Sequence, residues 1–127
     1  LLLADRYTTS NAVHQTAKMP EHQRGAFLDW LFNFEYELLG LPQPDLVFYL
    51  DLPTELSEAM LRSREQAMGT TADIHEADRK YLEESRRAGR QAAERCAWQV
   101  IECAANGAVR PIEEIHEEIY RRVKVVL

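Results

Sequence analysis

Two short apolar runs, LVFYLD at 46–51 and WQVIECA at 98–104, flank a long stretch whose apolar residues recur at helical spacing. A chain that leaves one strand through helices and returns to another has crossed over rather than turned back. The two strands therefore lie parallel, with helices covering their faces. That order predicts an α/β fold with a parallel sheet. Turn signals, Pro42 and Pro44 before the first run and Asn106-Gly107 after the second, limit both runs to the length of inner strands.

A third strand is expected at 1–4, where Leu1 to Ala4 run into Asp5-Arg6-Tyr7 and then into Thr8, Thr9, Ser10 and Asn11. Ser10 or Asn11 is placed to cap a short helix reaching about Lys18. A second helix is expected from Pro20 to Leu39. On it Phe27, Leu31, Phe34 and Leu38 recur, and Leu28, Trp30, Phe32 and Leu39 widen the apolar surface until Gly40 stops it. Pro53 restarts a helix with Leu56, Ala59, Met60 and Ser63 on one face, and MGTTAD at 68–73 reads as a loop. From Ile74 to about Arg95 a polar helix carries a narrow seam of Ile74, Ala77, Tyr81, Ser85, Ala88 and Ala92. Its wet side offers the four-apart pairs Glu76 with Lys80 and Glu83 with Arg87. Pro111 opens a last helix with Ile112, Ile115, Ile119 and Val123 inward and Glu113 and Glu114 in its first turn.

The chain of 127 residues, 46% hydrophobic and 28% charged, has material for one modest soluble domain. No run approaches the ~20 apolar residues of a membrane helix, and the cytoplasm is the expected location. A formal charge of −6 argues against a nucleic-acid polymer as partner, because such binding needs a basic surface. It leaves room for a small phosphorylated ligand held by a few arginines. Cys96 and Cys103 have no His or Cys at ligand spacing and read as reduced core thiols. His22, His75 and His116 read as surface residues, and Trp30 and Trp98 as core.

In a parallel sheet, ligands bind beyond the carboxyl ends of the strands, which is where Asp5, Arg6 and Asp51 fall. Asp5 and Arg6 side by side fit a site in which the carboxylate handles a metal or its waters and the guanidinium a phosphate. They equally fit a pair that only caps the sheet edge. The hydroxyls and amides of Thr8 to Asn11, leading into a helix, add to the anion-site reading.

The stretch DRYTTSNAVHQ resembles the motif of the thymidylate kinases, in which Asp-Arg-Tyr or Asp-Arg-Phe follows a strand and leads through a serine to an aromatic residue. DLVFYLDLP, LRSR, DIHEADRKYLEESR and IEEIHEEIYRRV are similar to later family segments in the same order. The resemblance implies a partial sandwich of the P-loop-kinase type, three layers with about three parallel strands present. It implies a single incomplete nucleoside monophosphate kinase domain over 1–127, with a lid at about 62–78.

It further implies phosphoryl transfer from ATP to thymidine monophosphate with Mg2+. Arg6 would hold the acceptor phosphate, and Asp5 would act near the transferred group and indirectly on the magnesium. Arg62 and Arg64 would approach the donor phosphates. Tyr7, Ser10, Asn11, His14 and Gln15 would line the acceptor pocket, while Asp73 and Glu76 match acidic lid positions. His14 stands where the family usually has Tyr or Phe beside the deoxyribose. A homodimer packed through part of the Phe27 to Leu38 surface is also implied.

Such a kinase needs a glycine-rich loop with Lys and Ser/Thr to cradle the donor phosphates. The 5 glycines here, Gly25, Gly40, Gly69, Gly89 and Gly107, form no GxxxxGK[ST]. The expectation is that the chain starts partway through its gene and is inactive alone. The rival is a non-catalytic nucleotide-binding or scaffold protein built on the kinase fold.

Overall fold

The computed structural model describes residues 1–69 and 76–127, the first two of the latter segment by backbone alone. Helix α1 spans Thr8–Thr16, α2 spans Glu21–Phe32 and runs directly into a π-helical segment at Asn33–Leu38, and strand β1 follows at Phe48–Asp51. Helices α3 (Thr54–Met68) and α4 (Glu76–Arg95) lead to β2 (Gln99–Glu102). A small hairpin of β3 (Ala104–Ala105) and β4 (Ala108–Val109) precedes α5 (Ile112–Lys124).

Prolines place three of the helix starts. Pro20, Pro53 and Pro111 each stand just before a helix with extended ψ, 141°, 140° and 140°. Proline's fixed φ suits the entry, and its missing N–H is one a first turn cannot use. Acids follow in each first turn, Glu21, Glu55, and Glu113 with Glu114, where the helix dipole favours negative charge.

β1 and β2 pair in parallel, Phe48 opposite Gln99 and Asp51 opposite Glu102, as the crossover of α3 and α4 requires. The hairpin turns at Asn106 and Gly107, both at positive φ (53° and 76°), the combination a two-residue turn of the I′ type needs. The core lies where α4 crosses α1 and α2. Ala12, Leu28, Leu31 and Ala92 form its buried centre, with Phe27, Phe32 and Trp98 packed around it. Ala88, Ala92 and Ala93 give α4 a small-residue face that lets neighbours approach closely.

Several expectations are corrected. Leu1 to Ala4 form no strand and stand in solvent, Leu2 being 93% exposed. Local apolarity supplies no neighbour: among the described residues no strand lies beside them, so the parallel sheet has two strands rather than three. Helix α1 begins before Ser10 and Asn11, with Tyr7 in the cap position and no side-chain cap. Trp30 is 57% exposed rather than core. On α3 the buried residues are Thr54 and Glu58, not Met60 or Ser63. Glu83 pairs with Arg79, and Arg87 with Glu84. Helix α5 has no fully buried residue; Ile115, Ile119 and Val123 are half-buried and Ile112 is exposed. The loop expected at 68–73 lies largely outside the described residues, as do Ile74 and Asp73.

Candidate functional site

Arg6 sits in the left-handed region, φ 70°, a conformation that non-glycine residues adopt at an energetic cost. The turn sends its side chain back along α1. Nε donates to Ser10 Oγ at 2.8 Å, and Nη2 donates to His14 Nε2. Ser10 and His14 fall four and eight positions on from Arg6, one face of the helix. His14 in turn meets Tyr81 of α4, Nδ1 to hydroxyl 3.1 Å. Gln15 reaches Asn11, Nε2 to Oδ1 3.4 Å, on the adjoining exposed face.

The other predicted pocket residues are partly occupied by the fold. Tyr7 donates its hydroxyl to the Pro42 carbonyl at 3.0 Å, tying the start of α1 to the segment after the π-helix. Thr8 and Tyr36 hydroxyls lie 2.9 Å apart, joining α1 to the π-helix itself. Asp5 is exposed and forms no ion pair among the described residues. Among those residues no three His, Cys, Asp or Glu side chains converge as a metal cage. A lone free carboxylate suits a magnesium ion held mainly by phosphates and water.

The ion pairs divide the arginines into two sets. Arg24, Arg79, Arg86, Arg87, Arg90, Arg95, Arg110, Arg121 and Arg122 each have a carboxylate partner. Arg6, Arg62 and Arg64 have none among the described residues. Arg62 and Arg64 are exposed on the outer half of α3. That helix is held to α4 by Arg79, which faces Glu55 at 3.7 Å and Glu58 at 3.8 Å. In a chain with more acids than bases, an arginine without a carboxylate is the exception, and its charge is available to an outside anion.

Asp51 is not available in this way. At the carboxyl end of β1 it is fully buried, and Arg86 grips it in two places, Nε to Oδ1 2.9 Å and Nη2 to Oδ2 3.1 Å, while Arg90 also donates to Oδ2. Burial pushes its pKa up, but the two guanidiniums outweigh burial and hold it below the usual carboxylate range. Asp51 therefore fastens α4 to the sheet.

Glu35, Tyr81 and the Arg86–Arg90 pair are the residues that sequence reasoning missed. Glu35 lies in the π-helical segment, 7% exposed, with Oε2 lacking any hydrogen-bond partner. Burial raises its pKa, and Thr8 and Asn11 beside it pull only partway back. A lone acid inside the run FNFEYELL was its signal, since an acid among aromatics either faces out or serves a purpose. Asp73 lies outside the described residues, and Glu76 is described by backbone alone.

Comparisons with known proteins give the family of the chain. The family model described as thymidylate kinase matches residues 1–119. Two curated proteins named thymidylate kinase, from the Mycobacterium tuberculosis strains CDC 1551 / Oshkosh and ATCC 25618 / H37Rv, are each 34% identical over 79 residues. The match covers 61% of this chain and 37%, well under half, of the length of each relative. Comparison with solved structures gave no match.

Proposed function

The chain belongs to the thymidylate kinase family, and we propose that in the intact protein it supplies the acceptor site and lid arm of an enzyme that moves the γ-phosphoryl group of ATP to thymidine monophosphate. The observation that carries this reading is the set of arginines left without a carboxylate. Arg6, Arg62 and Arg64 are the ones the family resemblance assigns to phosphates, and among the described arginines they alone have no acidic partner.

The chemistry asks for no dedicated base. A nucleoside monophosphate carries close to two negative charges at neutral pH, its second pKa lying near 6, so its own oxygen attacks the γ-phosphorus. A new P–O bond forms, the bond to the β-phosphate oxygen breaks, and ADP departs. Arg6 would hold the acceptor dianion, while Arg62 and Arg64 would meet charge on the donor side. Asp5 would hold water of a magnesium ion, whose contribution when bound is to neutralise charge on the donor oxygens. Asn11, Gln15, His14 and Ser10 would border the nucleoside, and Tyr7 would brace the pocket from behind. Asp73 and Glu76 complete the proposed lid of residues 62–78.

The proposed architecture is a single nucleoside monophosphate kinase domain of the P-loop sandwich type. The glycine-rich phosphate loop is not among these residues, so the chain by itself is proposed to be inactive. A cytoplasmic enzyme acting as a homodimer completes the reading. Its dimer contact would be part of the Phe27 to Leu38 surface, where the exposed rings of Trp30 and Phe34 stack 5.6 Å apart and Trp30 also lies 5.6 Å from Phe27 at the edge of the core.

A coupled assay on the intact gene product tests the activity. ATP-dependent conversion of thymidine monophosphate to the diphosphate is expected. Absence of turnover with every pyrimidine monophosphate would overturn the reading and leave a non-catalytic nucleotide-binding protein in its place, a role the missing phosphate loop also fits.

A further inference from the structure

Three side chains form one directed chain: Arg6, in the turn before α1, to His14 on α1, and His14 to Tyr81 on α4. The donors fix its direction. A guanidinium donates and never accepts, so the Arg6 Nη2–H must end on a bare imidazole nitrogen. That makes His14 Nε2 the unprotonated nitrogen and leaves the proton of the neutral ring on Nδ1. Nδ1–H then needs an acceptor, and the Tyr81 hydroxyl oxygen lies 3.1 Å away. With the oxygen accepting, the hydroxyl proton of Tyr81 is free for an outside acceptor.

We propose that Tyr81 is a positioning residue for phosphate capture: Arg6 requires the Nδ1–H form of His14, and the Tyr81 oxygen, accepting from Nδ1–H, pins the ring so that Nε2 holds Arg6 against α1 with its charge uncompensated. The alternative tautomer would present an N–H to the guanidinium and push it away. Ser10 secures the other edge through Nε, so two neutral acceptors orient the guanidinium without spending its charge. Nη1 has no partner among the described residues. A carboxylate in place of His14 would hold Arg6 more tightly and quench it.

The phosphate in this inference rests on the proposed kinase reading, whereas the tautomer does not. Tyr81→Phe keeps the ring and removes only the oxygen, and at 41% exposure Tyr81 contributes little to the core. Nitrogen-15 NMR of the His14 ring in the intact protein is expected to show the Nδ1–H form, and the same form in Tyr81→Phe, because Arg6 still requires a bare Nε2, but with the Nδ1–H proton exchanging faster with solvent. If the wild-type ring is mainly Nε2–H, or if Nδ1–H exchange is unchanged in Tyr81→Phe, the ring contact is wrong. Kinetics supply the second readout. Losing one orienting bond should raise the KM for thymidine monophosphate about fivefold with kcat little changed. His14→Gln, whose amide oxygen accepts from Arg6, should stay closer to wild type than His14→Phe. An unchanged KM in Tyr81→Phe beside faster Nδ1–H exchange would overturn the positioning role. Faster Nδ1–H exchange in a protein with no kinase activity would leave the ring contact standing and remove the proposed function instead.

Discussion

A guanidinium held by neutral acceptors differs in kind from one held by a carboxylate, because only the first keeps its net charge for an incoming anion. Arg6 is of the first kind and Arg86 of the second. If Arg6 grips the acceptor phosphate, Arg6→Ala in the intact enzyme should lower kcat/KM by about a hundredfold or more, and Lys should rescue poorly because it lacks the planar fork. Steady-state kinetics check this. Asp51 makes the opposite prediction, about stability. Its carboxyl pKa is lowered in the folded state, so its contribution is present above the ordinary Asp value and lost as pH falls through the lower folded value. Asp51→Ala should cost about 3 kcal/mol at neutral pH, the low end for a broken buried pair, because Arg86 and Arg90 can still reach water. The melting-temperature gap between Asp51→Asn and wild type should narrow below about pH 4. Glu35 runs the other way. Its raised pKa means that the folded state favours the protonated form, a benefit lost as pH rises through that value. Glu35→Gln should therefore melt higher than wild type at neutral pH, and lose that advantage below about pH 4.

Elements were legible where their signals are local and opaque where their meaning depends on a neighbour. Prolines, glycines and first-turn acids marked the helix starts and the hairpin because each acts within a few residues. The pairing of β1 with β2 followed from order alone. Leu1 to Ala4 misled because an apolar run describes a strand's faces and says nothing of who pairs with its edges. The π-helix at Asn33–Leu38 was invisible, since its extra residue per turn shifts the facing of a run that is apolar nearly all round. Of the site, Arg6, Ser10 and His14 were readable as a motif, but Tyr81 looked like one more seam residue until α4 was laid beside α1. Gly89 is a further case. A Cβ there would lie 2.3 Å from the Tyr49 hydroxyl oxygen and 2.4 Å from its ring, so α4 approaches β1 only because position 89 is bare. Gly89→Ala would gain about 1 kcal/mol in an exposed helix; here it should destabilise, and Tyr49→Val should recover most of the loss in chemical denaturation.

Over the whole molecule, apolar surface is unevenly shared. The centre is small and made largely of alanines and leucines, while Trp30, Phe34, Leu38 and Leu39 stay exposed along one side. An exposed apolar patch of this kind is what a contact between copies would bury. If a second copy covers it, light scattering on the intact protein should give a dimer at micromolar concentration, and Trp30→Glu should shift it toward monomer. A clean wild-type monomer would count against the homodimer.

The buried cluster that joins Ala12, Leu28 and Leu31 to Ala92 also sets a schedule. A ribosome adding about 5–20 residues per second would keep α1 and α2 waiting roughly 3–12 s between the emergence of Leu31 and that of Ala92. For that interval the nascent chain carries α1 and α2 without the α4 face that packs on them. Stalled chains ending before α4 should be cut readily by protease within α2, and those extended past Ala92 should resist. The early helices thus depend on the late one for shelter, and the cell's trigger factors and holdases have a defined window in which to supply it.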